Sequence, residues 1–155
     1  RQRQMCIRDR VKEIENDSGA DNIGIVVIFR ADGAVKNPAI YHTESGEFTK
    51  VGYLDNDFIM SSGQYVIINT YTGKKNAYLL DGVTQAEIEN HKDNYGVIDW
   101  DTVIEKYGTV INEYLDEDGE FIQLQDGTNT LTYTADEGTN YLSVSVYYRI
   151  SYLGV

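Results

Sequence analysis

The chain has one cysteine, one proline, one tryptophan and two histidines in 155 residues. The lone Cys6 excludes a disulfide within the chain and any metal site built from several thiolates. His42 and His91 are far apart and in no HxxxH spacing. The order of residues therefore assembles neither a histidine metal cage nor a Ser-His-Asp or Cys-His set, and each histidine reads as a surface or rim residue. Long hydrophobic runs are also missing. The longest, Ile25–Phe29 ("IVVIF"), is far below the ~20 residues of a membrane-spanning helix. No secretory leader is visible, because Arg8, Asp9 and Arg10 break the opening and no apolar stretch follows. "YTGKK" (Tyr71–Lys75) has lysines without the GxxxxGK[ST] spacing of a phosphate loop.

Positive charge is scarce as well: 13 Lys and Arg against 25 Asp and Glu, a net −12. The charge is unevenly spread. Arg1, Arg3, Arg8 and Arg10 against Asp9 give the first ten residues +3, so a total of −12 leaves −15 on the rest. A body that acidic repels nucleic acid and anionic headgroups, which argues against both as partners.

What is present points to strands. The length suits one domain. Hydrophobic residues at 41% and charged residues at 25% are ordinary for a globular chain. Thirteen tyrosines suit half-buried strand positions, and 14 glycines with a single proline suit many short strands joined by tight turns. Residues 11–22 show little apolar periodicity and read as a linker or lead-in. From there, β-branched Ile23–Gly33 predicts a strand ended by Asp32-Gly33. Asn37–Gly52 predicts two strands around Glu44-Ser45-Gly46, with Pro38 at the start of the first. A turn at Ser61–Gly63, a strand at Tyr65–Asn69, a turn at Tyr71–Gly73 and an alternating strand at Lys74–Leu80 follow. Past residue 110, the pattern predicts strands at Glu120–Leu124, Thr128–Thr134 and Tyr141–Tyr148. In the last, Leu142, Val144, Val146 and Tyr148 share one face. The tight turns require antiparallel pairing. The fold class is thus all-β, an antiparallel sandwich over residues 23–155.

Residues 83–110 break this texture. Thr84 with Glu87, and Thr102 with Glu105, each read as a capping box, and Gly108 as a C-cap. These signals predict a helical insertion whose short helices must be held by packing, with Ile98, Trp100, Val103 and Ile104 as anchors.

Candidate chemistry is thin. "DEDGE" (Asp116–Glu120) has a DxDG order without the later ligands of a calcium loop and reads as a turn. Asp93, Asp99 and Asp101 read as turn and helix-start residues, not metal ligands. No catalytic residue, cofactor or metal is expected, and the chain is read as a non-enzyme. Aromatic faces on a sandwich can stack on sugar rings, which makes Tyr65, Tyr71, Tyr95 and Trp100 candidate carbohydrate contacts. Packing is the weightier role for such rings.

The opening "RQRQMCIRDR" back-translates into something that resembles the transposon mosaic-end adapter of sequencing libraries. Residues 1–10 are accordingly expected to be an artefact, to make no packed contacts with the sandwich, and to stand where a natural upstream segment would be.

Three stretches carry a further resemblance: "IINTYTGKKNAYL" (Ile67–Leu79), "GEFIQLQDGTNTLTYTADEG" (Gly119–Gly138) and "LSVSVYYRISYLGV" (Leu142–Val155). They resemble the C-terminal domain of siphophage distal tail proteins, over about residues 19–155, with a departure at 83–110. The resemblance implies a galectin-like or jelly-roll sandwich following an N-terminal ring domain that forms a homo-hexamer around the tail channel. It implies a structural component of the tail tip or baseplate hub, supporting tail assembly and host adsorption. The implied partners are the tail tube and the tail-tip or receptor-binding proteins, with host glycan as a further one. The implied location is the virion tail tip, after synthesis in the host bacterial cytoplasm. The alternative is a carbohydrate-binding module for host cell-wall glycans. The terminal Tyr152-Leu153-Gly154-Val155 is expected to dock its apolar residues.

Overall fold

A computed structural model of the chain describes residues 11–150 together with the backbone of residues 2–7. The first strands are β1 (Gln2–Ile7), β2 (Val11–Asn16), β3 (Ile25–Ala31), β4 (Val35–Lys36), β5 (Ala39–His42) and β6 (Glu47–Lys50). They are followed by β7 (Ile59–Met60), β8 (Tyr65–Asn69) and β9 (Asn76–Leu80). Two helices come next, α1 (Gln85–Glu89) and α2 (Trp100–Tyr107). The remaining strands are β10 (Thr109–Val110), β11 (Gly127–Thr134) and β12 (Leu142–Arg149).

The turn signals work as expected. Glu44–Gly46 closes the β5–β6 hairpin, where the Gly46 N–H donates to the His42 carbonyl at 2.9 Å. Every ladder among the described strands is antiparallel. A six-stranded sheet runs β1-β12-β3-β8-β9-β10, and a four-stranded sheet runs β2-β11-β5-β6, with β4 and β7 as a separate pair. The chain is an antiparallel β-sandwich, not a closed barrel.

Between the sheets lies the main core. Ile25, Val27 and Phe29 of β3 and Val66 and Ile68 of β8 face Leu131, Tyr133 and Ile40 from the small sheet. Leu142, Val144, Val146 and Tyr148 join them, as the alternation of β12 predicts. Fully burying a side chain such as Phe29 contributes about 1.5–3 kcal/mol.

A second core lies on the other face of the large sheet. Val26, Ile28, Tyr65, Ile67, Leu80 and Tyr147 point away from the sandwich and are covered by Val83, Ile88, Trp100 and Val103. The insertion therefore covers a sheet face, and its last residues add β10 to the sheet edge. Ile88, absent from the expected anchors, is fully buried, whereas Ile98 and Ile104 are half-buried. Among the described residues no helix is long and apolar enough to cross a membrane.

Four expectations need correction. Val11–Asn16 is not a linker: it forms β2 on β11, with Ile14 and Asn16 buried at alternate positions. Gln2–Ile7 does not stand apart, because its backbone pairs with β12 from Gln2↔Arg149 to Ile7↔Val144. A strand edge pairs through its backbone N–H and C=O groups, whatever side chains the arriving segment carries. The burial of Met5 and Ile7 lies outside the described residues, as does the terminal Tyr152–Val155. Glu120–Leu124 forms no ladder. Its backbone is satisfied piecemeal: Glu120 N–H on the Phe48 carbonyl (2.7 Å), Ile122 N–H on Thr49 Oγ1 (3.2 Å) and Leu124 N–H on the Ile23 carbonyl (2.8 Å). Finally, α2 is capped by Asp99, not Thr102. The Asp99 carboxylate accepts from the Thr102 N–H (3.2 Å) and hydroxyl (2.8 Å), so the helix starts at Trp100, three residues earlier than a Thr102 cap would allow. The other cap is as read: Thr84 Oγ1 accepts from the Glu87 N–H at 3.1 Å.

Candidate functional site, a cleft between the insertion and the large sheet

The outer face of the large sheet is not wholly covered. At the end of β8 and β12 the insertion lifts away and leaves a cleft of about 330 Å³. Strand parity builds its floor. Asn69 shares the outward parity of Tyr65 and Ile67 on β8, and Arg149 that of Tyr147 on β12. Val26 lies between them on β3. The β8–β9 turn supplies Tyr71 and Lys74, closed by the Lys74 N–H on the Tyr71 carbonyl at 2.9 Å. Gly24 makes room for Tyr71: a Cβ there would lie 2.6 Å from the Tyr71 Cα.

The roof comes from the insertion. Asp93 shapes its loop by accepting from the N–H groups of Tyr95 (2.8 Å) and Val97 (3.0 Å). That loop leads through Ile98 into Asp99, Trp100 and Asp101 at the start of α2. Lys74 Nζ reaches Asp101 Oδ2 at 3.2 Å and ties the turn to the helix. A neighbouring recess of about 470 Å³ shares Asn69, Lys74 and Asp101.

Of the four aromatic candidates, the fold brings together Tyr71 and Trp100. Tyr71 is half-buried, and burial holds its hydroxyl above the ordinary tyrosine value. Trp100 is 7% exposed and packs edge-to-face on Tyr147, with ring centroids 5.2 Å apart. Its Nε1 is buried without a hydrogen-bond partner. Tyr65 is buried elsewhere, its hydroxyl donating to Gln85 Oε1 at 2.9 Å. Tyr95 is 91% exposed on the Asp93 loop and lies outside the cleft lining.

Two polar clusters escaped the sequence reading. His42 is not a rim residue: it is 2% exposed, between Ser45 Oγ (2.7 Å from Nδ1) and Asn129 Oδ1 (2.7 Å from Nε2). The order Ser45–His42–Asn129 mimics a nucleophile, base and orienter, but its hydrogen bonds are those of a clamp. Asn129 donates to the Gln125 and Gly127 carbonyls, so its oxygen accepts and His42 Nε2 carries the proton. Nδ1 then accepts from the Ser45 N–H, and Ser45 Oγ accepts from the Glu47 N–H. The signal was present: Asn129 alternates with Leu131 and Tyr133, so it sits on the inward parity of β11. Beside it, Thr130 donates to Glu44 through both N–H and hydroxyl (2.6 Å each) and lowers that carboxylate's pKa, the hydroxyl contributing most.

The second cluster centres on Asn37, 2% exposed and in the left-handed region at φ 52°. Its amide donates to Asp57 and to Asp136, both at 2.9 Å, and its oxygen accepts from the Phe58 N–H at 2.8 Å. These amide bonds are the main reason both carboxylates have lowered pKa values; Lys36 beside Asp57 and Lys50 beside Asp136 add to the effect. Gly52 is required here, because its φ is +102° and a Cβ would collide with Asn37 Oδ1. The Asp116 carboxylate accepts from the Asp118 N–H at 2.9 Å, the geometry of a turn.

Comparison with protein-family models, with curated proteins and with solved structures gives no match to this chain.

Proposed function

We propose that the chain is the outward-facing sandwich of a distal-tail-type hub, a structural part of a phage tail tip or baseplate. One observation carries the reading. The inner faces of both sheets are filled mainly by aliphatic and aromatic side chains, and the outer face of the large sheet is spent mainly on packing the insertion. Of the aromatic candidates, Tyr65 and Trp100 serve that packing and no ring platform spreads across a concave sheet. A stable scaffold with its rings turned inward suits an assembly role better than a sugar platform. The three stretches that resemble the family fall on both sheets: β8, its turn and β9 in the large sheet, β11 with the segment before it in the small sheet, and β12 in the large sheet.

The test is expression from the uninterrupted gene. Light scattering on the product is expected to give a hexamer, and an antibody against residues 11–150 is expected to label phage tail tips. A monomeric product, or label on any other structure, overturns the reading.

A further inference from the structure

We propose that the open outer face of the small sheet docks a basic segment of a partner protein, one that carries arginine beside an apolar side chain. The inference goes beyond the hub reading and does not depend on it.

The first observation is an uncovered apolar row. The register of β2-β11-β5-β6 sets Val11, Thr132, Tyr41 and Phe48 side by side across the four strands. Their parity is opposite to that of Leu131 and Ile40, so they face away from the sandwich. Val11 is 52% exposed. Tyr41 and Phe48 are half-buried and rest on each other, with ring centroids 5.6 Å apart. Neither ring joins a core: the large sheet has a packed layer on its outer face, and among the described residues the small sheet has none.

The second is the charge beside that row. Two residues along the strands, about 7 Å away, Glu13 lies opposite Thr130, and Glu15 follows opposite Thr128. Thr130 donates to Glu44 through N–H and hydroxyl (2.6 Å each), and the Thr128 hydroxyl donates to Glu15 at 2.5 Å. Three carboxylates therefore stand on one side of the face. The two lysines of these strands do not balance them. Lys50 is held by Asp136 at 3.0 Å, and Lys12 has the other parity of β2. Like charges on one sheet face repel, and a cation laid over them relieves that cost. Among the described residues no group of three or more His, Cys, Asp or Glu is placed to hold a metal ion, so a single metal does not fill this role.

The third is the chemistry that uses both rows. Nucleic acid, anionic lipid and a second copy of the same acidic face are all repelled by a chain of net charge −12. An arginine fits. Its planar guanidinium stacks on an aromatic ring and bonds carboxylates through two N–H groups. An apolar neighbour on the same segment covers Val11 and the Tyr41–Phe48 pair. From β2 to β6 the face is about 14 Å wide, three strand spacings, which makes the contact a small and rapidly exchanging one.

The isotope-labelled full chain is titrated with a synthetic peptide of alternating arginine and leucine, and amide shifts are followed by NMR. Control peptides alternate lysine with serine and glutamate with leucine. The arginine–leucine peptide is expected to give saturable shifts concentrated in β2, β5, β6 and β11, and both controls are expected to bind more weakly. Phe48→Ala is expected to weaken binding about tenfold, and Glu13→Gln with Glu15→Gln about fivefold. Both glutamates are exposed, so their variant carries the test if Phe48→Ala does not fold. No saturable shift overturns the proposal, and so do shifts spread over the whole surface or centred elsewhere. A control that binds as tightly overturns it, as does affinity unchanged in every variant that folds. The same amides moving when the chain alone is concentrated would make a second copy the occupant and overturn it too. Hexamer formation, on which the hub reading rests, is unaffected by any of these outcomes.

Discussion

The two sheets solve different burial problems, and their strands show it. In the large sheet, β8 is buried at all five positions and β3 at six of seven. In the small sheet, β11 alternates, with Asn129, Leu131 and Tyr133 inward and the threonines between them half-buried. A strand covered on both faces reads as a continuous apolar run, whereas a strand covered on one face alternates. "IVVIF" is therefore the mark of a sheet with a layer on each side, and that second layer is the insertion. The lesson is that a helical insertion and an apolar run elsewhere in the chain are one feature, because each supplies what the other must bury.

The sharpest way to break this comparison is to charge the covered outer face. Ile67→Asp places a carboxylate among Val26, Ile88 and Trp100, and should cost at least about 4 kcal/mol by urea denaturation. A loss below 1 kcal/mol would mean that the insertion does not cover this face.

Next in size is Asn37→Ala, which removes three hydrogen bonds near the β4–β7 pair and should cost about 1–3 kcal/mol. It also has a pH signature. Asp57 and Asp136 have lowered folded pKa values, so the folded state holds fewer protons than the unfolded one. The stability they contribute is complete above the ordinary carboxylate range near pH 4 and is lost as pH falls through the lowered values. Melts from pH 7 down to pH 2 should show the native chain losing stability steeply in acid and Asn37→Ala losing less. Equal slopes would remove Asn37 as the cause.

Asp99→Ala removes the cap of α2 and should cost about 1 kcal/mol. The loss is expected to appear first as faster amide exchange in residues 100–107, while β11 keeps its protection. The smallest effect belongs to the half-covered small sheet. Thr132→Lys, on the outward parity of β11, should stay within about 0.5 kcal/mol of the native chain. A large loss there would put a covering layer on that sheet too.

Much of the fold was legible because it is written in local chemistry. Turn residues placed β5, β6, β8 and the Thr84 cap within a residue or two. The reading failed where a segment takes its partners from far away. Val11–Asn16 carries little pattern of its own and is a strand because β11 offers it an edge. Glu120–Leu124 holds the β-forming residues Phe121 and Ile122, yet its N–H groups go to Phe48, Thr49 and Ile23. The cleft was half legible. Tyr71 and Trp100 stood among the candidates, but Asn69 and Arg149 had no motif to mark them. Their roles come from strand parity at positions 80 residues apart in the chain.

The sequence by itself determined the all-β class, the antiparallel pairing, the acidic surface and the helical character of residues 83–110. Each follows from residue type, spacing or count, and those act over a few neighbours. Only the tertiary structure decided which face the insertion covers, that His42 is buried, that Asn37 holds two carboxylates, and that an unpaired indole N–H lies beside an open cleft. Those facts depend on which distant groups arrive at the same place, and a buried polar atom's free energy is set by the partner it meets there.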